Sequence, residues 1–235
     1  MRFTSVTHRG GREINKDSFK RICRSGIYCF AMSDGGGPGG ETGADIVTSA
    51  ITEEFEKAPE VTVERASHCI WSAVEAFKKQ IADDPVYSEM TATAAVLITD
   101  GEKGVCAHIG DTRIYRFSKG LVEFITNDHT EAMEKYNAGE IQFSELRSLM
   151  PSPLTRIISD ESESEPETEK AFSVNSKTAF LICTDGFWVN MTESEMEDAL
   201  KKARSSKEWL GNMLHNLEST APADCGNITA AAIIM

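Results

Sequence analysis

Asp34-Gly35 and Asp185-Gly186 each follow an apolar run and a hydroxyl residue, in Ile27-Tyr-Cys-Phe-Ala-Met-Ser-Asp-Gly35 and Ala179-Phe-Leu-Ile-Cys-Thr-Asp-Gly186. An apolar run of that length closed by turn residues reads as a buried strand, which places each carboxylate at a strand end where a loop begins. Glycine after the aspartate lets the backbone turn sharply and aim its own carbonyl at whatever the carboxylate holds. Oxygen donors of this kind suit hard cations such as Mg²⁺ or Mn²⁺. Taken singly, each Asp-Gly reads as a turn, because the dipeptide is common there. Taken together on matching strands from distant parts of the chain, the two read as one site.

Gly35, Gly37 and Gly40 also spell GxGxxG, a pattern that places a pyrophosphate at a helix N-terminus inside a compact β-α-β unit. The following segments disfavour that reading. Ala44–Lys57 and Val63–Ile81 both carry helical patterns, so no parallel strand returns promptly, and Asp34 would set a negative charge beside the phosphates.

The elements that must position these residues are read in chain order. Phe3–His8 and Ser18–Cys23 read as strands around a polar connection holding Arg12 and Asp17, which can lie beside the Asp34 turn. The two helical stretches are amphipathic enough to cover one face of a sheet, with Trp71 and Phe77 as packing residues. Residues Thr91–Thr99, Gly104–Ile109, Thr112–Phe117 and Gly120–Thr126 read as short strands joined by Asp-Gly, Gly-Asp and Lys-Gly turns, spacing that predicts an antiparallel meander. Asp111 sits at one of those turns as a third strand-end carboxylate, and His108 alternates with apolar residues as a satisfied core histidine would. Helices are expected at Thr130–Asn137, Phe143–Leu149, Glu193–Lys202 and Lys207–Glu218, with a closing strand at Ile228–Met235. The acidic run Asp160–Glu169 reads as a solvated loop, in which Ser162 and Ser164 are the alternative as phosphorylation sites.

With 235 residues, 40% of them hydrophobic, and no linker-like stretch, the chain is expected to form one domain, 1–235. A formal net charge of −13 argues against nucleic acid and anionic membranes as partners. Absence of a leader pattern or a membrane-length apolar run predicts a soluble, cytoplasmic protein. Six scattered cysteines without a C-x-x-C pair read as buried free thiols in a reducing compartment.

In this order the chain resembles the metal-dependent serine/threonine protein phosphatases of type 2C (the PPM type), particularly their short bacterial members. The resemblance spans nearly the whole chain. It rests on Arg12-Glu-Ile-Asn-Lys-Asp17, Ser33-Asp-Gly-Gly-Gly37, Met90-Thr-Ala-Thr-Ala94, His108-Ile-Gly-Asp-Thr-Arg-Ile-Tyr115, Thr126-Asn-Asp-His-Thr130, Leu154-Thr-Arg156, Cys183-Thr-Asp-Gly-Phe-Trp188 and Gly226-Asn-Ile-Thr229. It implies an α+β fold, a four-layer α-β-β-α sandwich of two antiparallel sheets flanked by helices. It also implies two Mn²⁺ or Mg²⁺ ions at one edge: Asp34 bridging them, the Gly35 carbonyl and Asp185 as further ligands, and Asp111 serving a looser third ion. Arg12 would hold the substrate phosphate and, with Asp34, form the catalytic pair. The implied substrate is a phosphorylated protein, made by a cognate serine/threonine kinase, and 129–156 would be a mobile flap.

The chain departs from that pattern at two metal carboxylates. Lys16 stands where the family has Glu, and Gly226 stands where it has Asp. The histidine or methionine of the glycine-rich loop is also absent. Lys16 can meet part of a cation's charge by pairing with Asp34, so the expectation is two metals, as in the family, or fewer. Asp224 is a candidate substitute ligand if the segment bulges at Gly226, since it otherwise lies about 7 Å away at strand rise. Two readings follow, a phosphatase with a reduced metal centre and a pseudophosphatase that binds phosphoproteins without hydrolysis.

Overall fold

The computed structural model describes residues 1–161 and 165–235. Its central strands are buried on both faces, which is why they read as unbroken apolar runs rather than alternating ones. In β3 (Ile27–Gly36), Cys29 and Ala31 pack under helices α1 (Gly40–Lys57) and α2 (Val63–Asp83), while Phe30 and Met32 join an inner layer with Phe180, Ile182, Ala231 and Ile233. Those last four come from two strands of another sheet, β11 (Thr178–Cys183) and β12 (Ile228–Ile234), whose alternate residues Leu181, Cys183, Ala230 and Ala232 pack against α6 (Glu193–Lys202) and α7 (Ser206–Thr220). The result is the expected four-layer α-β-β-α sandwich with both sheets antiparallel. Local signals agree with it: Thr62, Thr192 and Ser205 cap α2, α6 and α7 through their hydroxyls, and Thr192 with Glu195 completes a capping box.

One sheet runs β1-β12-β11-β7-β8, with β1 at Arg2–His8, β7 at Arg113–Ser118 and β8 at Leu121–Ile125. The other runs β10-β6-β5-β3-β2, with β2 at Asp17–Arg24, β5 at Ala94–Thr99, β6 at Lys103–Ile109 and β10 at Phe172–Ser173. Two short pairings complete it, β4 (Thr91–Ala92) on β3 and β9 (Glu167–Thr168) on β6.

This topology corrects two expectations and bears out the rejection of the GxGxxG reading. The meander over 91–126 does not form. β5 and β6 make a hairpin in one sheet, β7 and β8 make another in the second sheet, and residues 110–112 carry the chain between them. Alternation could not reveal the switch, because the strands on both sides of it bury both faces. The acidic run is not wholly a solvated loop either: its end forms β9, with Glu167 opposite His108. Ser162 and Ser164 lie outside the described residues. The GxGxxG reading falls because β3 pairs antiparallel with both β2 and β5.

Phe180 is fully buried in the layer between the sheets. Phe180→Ala is expected to cost about 3–5 kcal/mol, read as a lower midpoint in urea-induced unfolding.

Candidate metal centre

The strand directions bring one end of β3, β6 and β11 and the start of β2, β5, β7 and β12 to a single edge of the sandwich. Asp34 lies there, at the end of β3. Its backbone is gripped by Thr93, the residue between β4 and β5: the Asp34 N–H donates to Thr93 Oγ1 at 2.9 Å, and the Thr93 N–H donates to the Asp34 carbonyl at 2.9 Å. Thr93 Oγ1 also meets Thr112 Oγ1 at 2.6 Å, which ties the Asp34 turn to the crossing that carries Asp111.

Asp17 begins β2 directly opposite Asp34. One carboxylate oxygen, Oδ2, accepts a hydrogen bond from the Thr184 hydroxyl at 2.9 Å, across the gap between the sheets. The other, Oδ1, is buried and has no hydrogen-bond partner among the described residues. Asp185 follows Thr184 as the first residue of α5 (Asp185–Trp188). The indole of Trp188 donates to the Asp111 carbonyl at 2.9 Å, and the Arg113 guanidinium lies 3.5 Å over the Trp188 ring. Arg113 is itself held by Asp128 in a buried two-pronged pair, Nε to Oδ1 at 2.8 Å and Nη2 to Oδ2 at 2.6 Å.

Four half-buried carboxylates thus converge from four chain segments. Burial, then the charges of Asp185, Asp17 and Asp111, push Asp34 well above the usual carboxylate range. Burial raises Asp17 to about 6 against the pull of the Thr229 and Thr184 hydroxyls. Burial, Asp185 and Asp128 raise Asp111 to about 8, with Arg113 pulling the other way. Such a cluster costs free energy when ionised unless a cation sits within it. The all-oxygen donor set and the orphaned Oδ1 of Asp17 fit a hard divalent cation.

Beside the carboxylates is a cavity of about 450 Å³ lined by Arg12, Glu13, Ile14, Lys16, Asp34, Gly35, Asp185, Gly226 and Asn227. The loop bearing Arg12 is fastened by Asn227, whose amide donates to the carbonyls of Arg9 and Ile14 at 2.9 Å each and whose Oδ1 accepts from the Lys16 N–H at 2.9 Å. Sequence reading had placed Asn227 only within a motif. Its role as the clamp of the arginine loop depends on a contact across some two hundred residues, for which no local signal exists.

A family profile described as Protein phosphatase 2C matches residues 5–226. The chain belongs to the protein phosphatase 2C family. It is 26% identical over 207 residues to the serine/threonine phosphatase stp of Listeria welshimeri, covering 83% of this chain and 80% of that protein. It is 24% identical over 205 residues to the serine/threonine protein phosphatase PstP of Mycobacterium tuberculosis, covering 86% of this chain and 39% of PstP. The fold matches the crystal structure of M. tuberculosis PstP/Ppp with a TM-score of 0.88 at 22% identity, over 100% of this chain and 98% of that one. It also matches the PstP catalytic domain in complex with two manganese ions, with a TM-score of 0.84 at 21% identity over 99% and 97% of the two chains.

Within this phosphatase-family chain, Asp34, Gly35, Asp111 and Asp185 lie together at this edge, and Arg12 lines the adjoining cavity. Lys16 does not do what the sequence suggested. Its ammonium donates to the Gly37 carbonyl at 2.6 Å, and among the described residues it forms no ion pair with Asp34. The glycine-rich loop offers Lys16 a carbonyl that needs a donor, whereas Asp34 faces inward toward the other acids. Asp224 is not brought to the site: it is exposed in a turn and absent from the cavity lining, while its neighbouring backbone packs on Gly11. Gly226 does reach the site. A Cβ built there would lie 3.9 Å from Asp185 Oδ1 with nothing closer than 3.7 Å, so a side chain can begin at this position without clash and beside Asp185.

The pKa shifts fix a sign for metal-free stability. Asp17 and Asp111 have folded values above those of the unfolded chain, so their contribution is full below about pH 4 and is lost as pH rises through about 6 and about 8. The melting temperature of the chelator-treated protein is therefore expected to fall between pH 6.5 and 8.5, and Mn²⁺ is expected to abolish that fall. Differential scanning calorimetry across this range checks both.

Proposed function

We propose that residues 1–235 act as one domain, a Mn²⁺- or Mg²⁺-dependent phosphatase for phosphoserine and phosphothreonine in proteins, with a metal centre reduced by two carboxylates. The observation that carries this reading is the convergence of Asp17, Asp34, Asp111 and Asp185, one oxygen of it orphaned, beside a cavity open to an arginine. Asp34, Asp185, the Gly35 carbonyl and Asp111 would hold the cation. When bound, it supplies Lewis-acid polarisation of the phosphoryl group and acidifies an attacking water. That the Listeria and Mycobacterium relatives are serine/threonine phosphatases supports the substrate class, and a kinase that makes the same phosphoprotein is the implied counterpart in the cytoplasm.

The remaining steps belong to the chain's own residues. Arg12, exposed at the cavity, presents a planar fork that can hold two phosphoryl oxygens and neutralise charge as the bond to phosphorus breaks. Asn227 keeps the fork's loop in register with Asp34. Lys16 adds a second positive charge to the lining while leaving Asp34 free for a cation.

Lys16 and Gly226 also favour a second reading, a pseudophosphatase that binds phosphoproteins through Arg12 without turning them over. Phosphopeptide hydrolysis with and without Mn²⁺ separates the two. The enzyme reading predicts metal-dependent turnover that Asp34→Asn lowers roughly a thousandfold, the scale of losing a principal electrostatic stabiliser. The binding reading predicts no turnover until Lys16→Glu and Gly226→Asp are introduced together. No turnover in the natural protein, with turnover gained in that double variant, would sink the enzyme reading.

A further inference from the structure

Outside the acid cluster, His108, His129 and Glu167 come together with ligand atoms within 4.8 Å of one another, a spacing that invites a cation. The hydrogen bonds assign the protons differently. The Gly110 N–H donates to His129 Nδ1 at 3.0 Å, which uses that nitrogen's lone pair and leaves the neutral ring's proton on Nε2. Nε2 then donates to Glu167 Oε2 at 3.2 Å. His108 donates from its own Nε2 to the Asn127 carbonyl at 2.8 Å, and burial pushes its pKa down to about 4, so it remains an uncharged plate. The two rings stack with centroids 4.5 Å apart and planes 11° from parallel. Arg156 Nη1, 3.5 Å from His129 Nε2, already brings a fixed positive charge to the spot.

What His129 holds is the turn that carries Asp111. Its ring accepts from the Gly110 N–H, and its own backbone N–H donates to the Gly110 carbonyl at 3.1 Å. Gly110 has φ +96°, and a Cβ there would strike the Thr93 side chain at 2.6 Å, so the turn has one shape and no slack. On its other side His129 is joined to the segment that follows it: its carbonyl accepts from the Thr155 N–H at 2.8 Å, beside Arg156. We propose that His129 is a positioning residue, which grips both faces of the Gly110 turn to fix the Asp111 carboxylate and couples it to residues 129–156 through Thr155 and Arg156 and to β9 through Glu167. The inference rests on the reading of Asp111 as a ligand for a cation, but its geometric core, the grip on Gly110, does not.

The test combines amide hydrogen exchange and ¹⁵N shifts by NMR on the metal-free protein with Mn²⁺ calorimetry. In the natural chain, His129 Nδ1 is expected to be unprotonated and the Gly110 amide protected. His129→Ala is expected to speed Gly110 exchange and to weaken the weakest Mn²⁺ step, each by about tenfold, the size of one lost hydrogen bond. His129→Asn, whose Oδ1 can accept from Gly110, is expected to recover most of both effects, whereas a merely space-filling role would leave Asn no better than Ala. Glu167→Gln keeps an acceptor for Nε2 and is expected to stay within about twofold of the natural protein. A protonated Nδ1 in the natural protein, or unchanged Gly110 protection in His129→Ala, overturns the proposal even if the variants fold poorly. Zn²⁺ binding that is lost in Glu167→Gln also overturns it, in favour of a metal site. Absence of Mn²⁺ binding by the natural protein would refute the metal-dependent function, while the exchange data would still decide the role of His129.

Discussion

Four carboxylates that repel one another must be held where two sheets meet, and the rest of this edge exists to resist that repulsion. Asp17 and Asp34 enter from one sheet, Asp185 from the other, and Asp111 from the strand-to-strand crossing between them. Three of them are tied in place by hydrogen bonds: the Asp34 backbone to Thr93, the Asp17 carboxylate to the Thr184 hydroxyl, and the Asp111 carbonyl to the Trp188 indole. Because the central strands bury both faces, splaying the sheets apart to relieve the charge would expose apolar core. Taking up protons or a cation is what lowers the energy, so affinity for a cation would be a property of the sandwich as much as of its ligands.

A second, oppositely built device lies just behind the cluster. Arg113 is nearly enclosed, yet its guanidinium is met on every side, by both oxygens of Asp128, by the Tyr115 hydroxyl at 2.8 Å and by the Trp188 face. A buried pair satisfied this fully is a weak contributor to stability but a strong specifier of geometry. It locks the segment 126–130 to the start of β7, so Asp128 and His129 approach the Asp111 turn from a fixed direction. The acid cluster and the adjoining segment therefore share one frame.

Much of this was legible in the chain. The two-faced strands announced themselves as apolar runs, and Asp34 and Asp185 stood out by position. The limit of that signal is shown by Asp100-Gly101, which also follows an apolar run and a threonine in Ala95-Val-Leu-Ile-Thr-Asp100. Asp100 closes the β5–β6 hairpin, accepting the N–H groups of Glu102 and Lys103 at 2.9 and 2.8 Å. β5 runs antiparallel to β3, so the same local pattern ends at the opposite edge of the sandwich. Only strand direction separates a ligand from a turn. The sheet switch at 110–112, the Lys16 bond to Gly37 and the pairing of Glu167 with His129 were invisible for the same reason: each depends on which distant segment arrives alongside.

Strand β12 lies in the middle of its sheet, between β1 and β11, although it is drawn from residues 228–234. β1 pairs in that sheet with β12 alone among the described residues, and the start of β12 and the residue before it carry Thr229, whose N–H donates to the Thr184 hydroxyl, and Asn227, which clamps the arginine loop. On the ribosome, most of the chain emerges before any of these contacts can close. Pairings this distant in sequence form late and slowly. The nascent chain therefore carries its acidic side chains unassembled, and the pocket comes into being only when its last strand is threaded between its first and its eleventh.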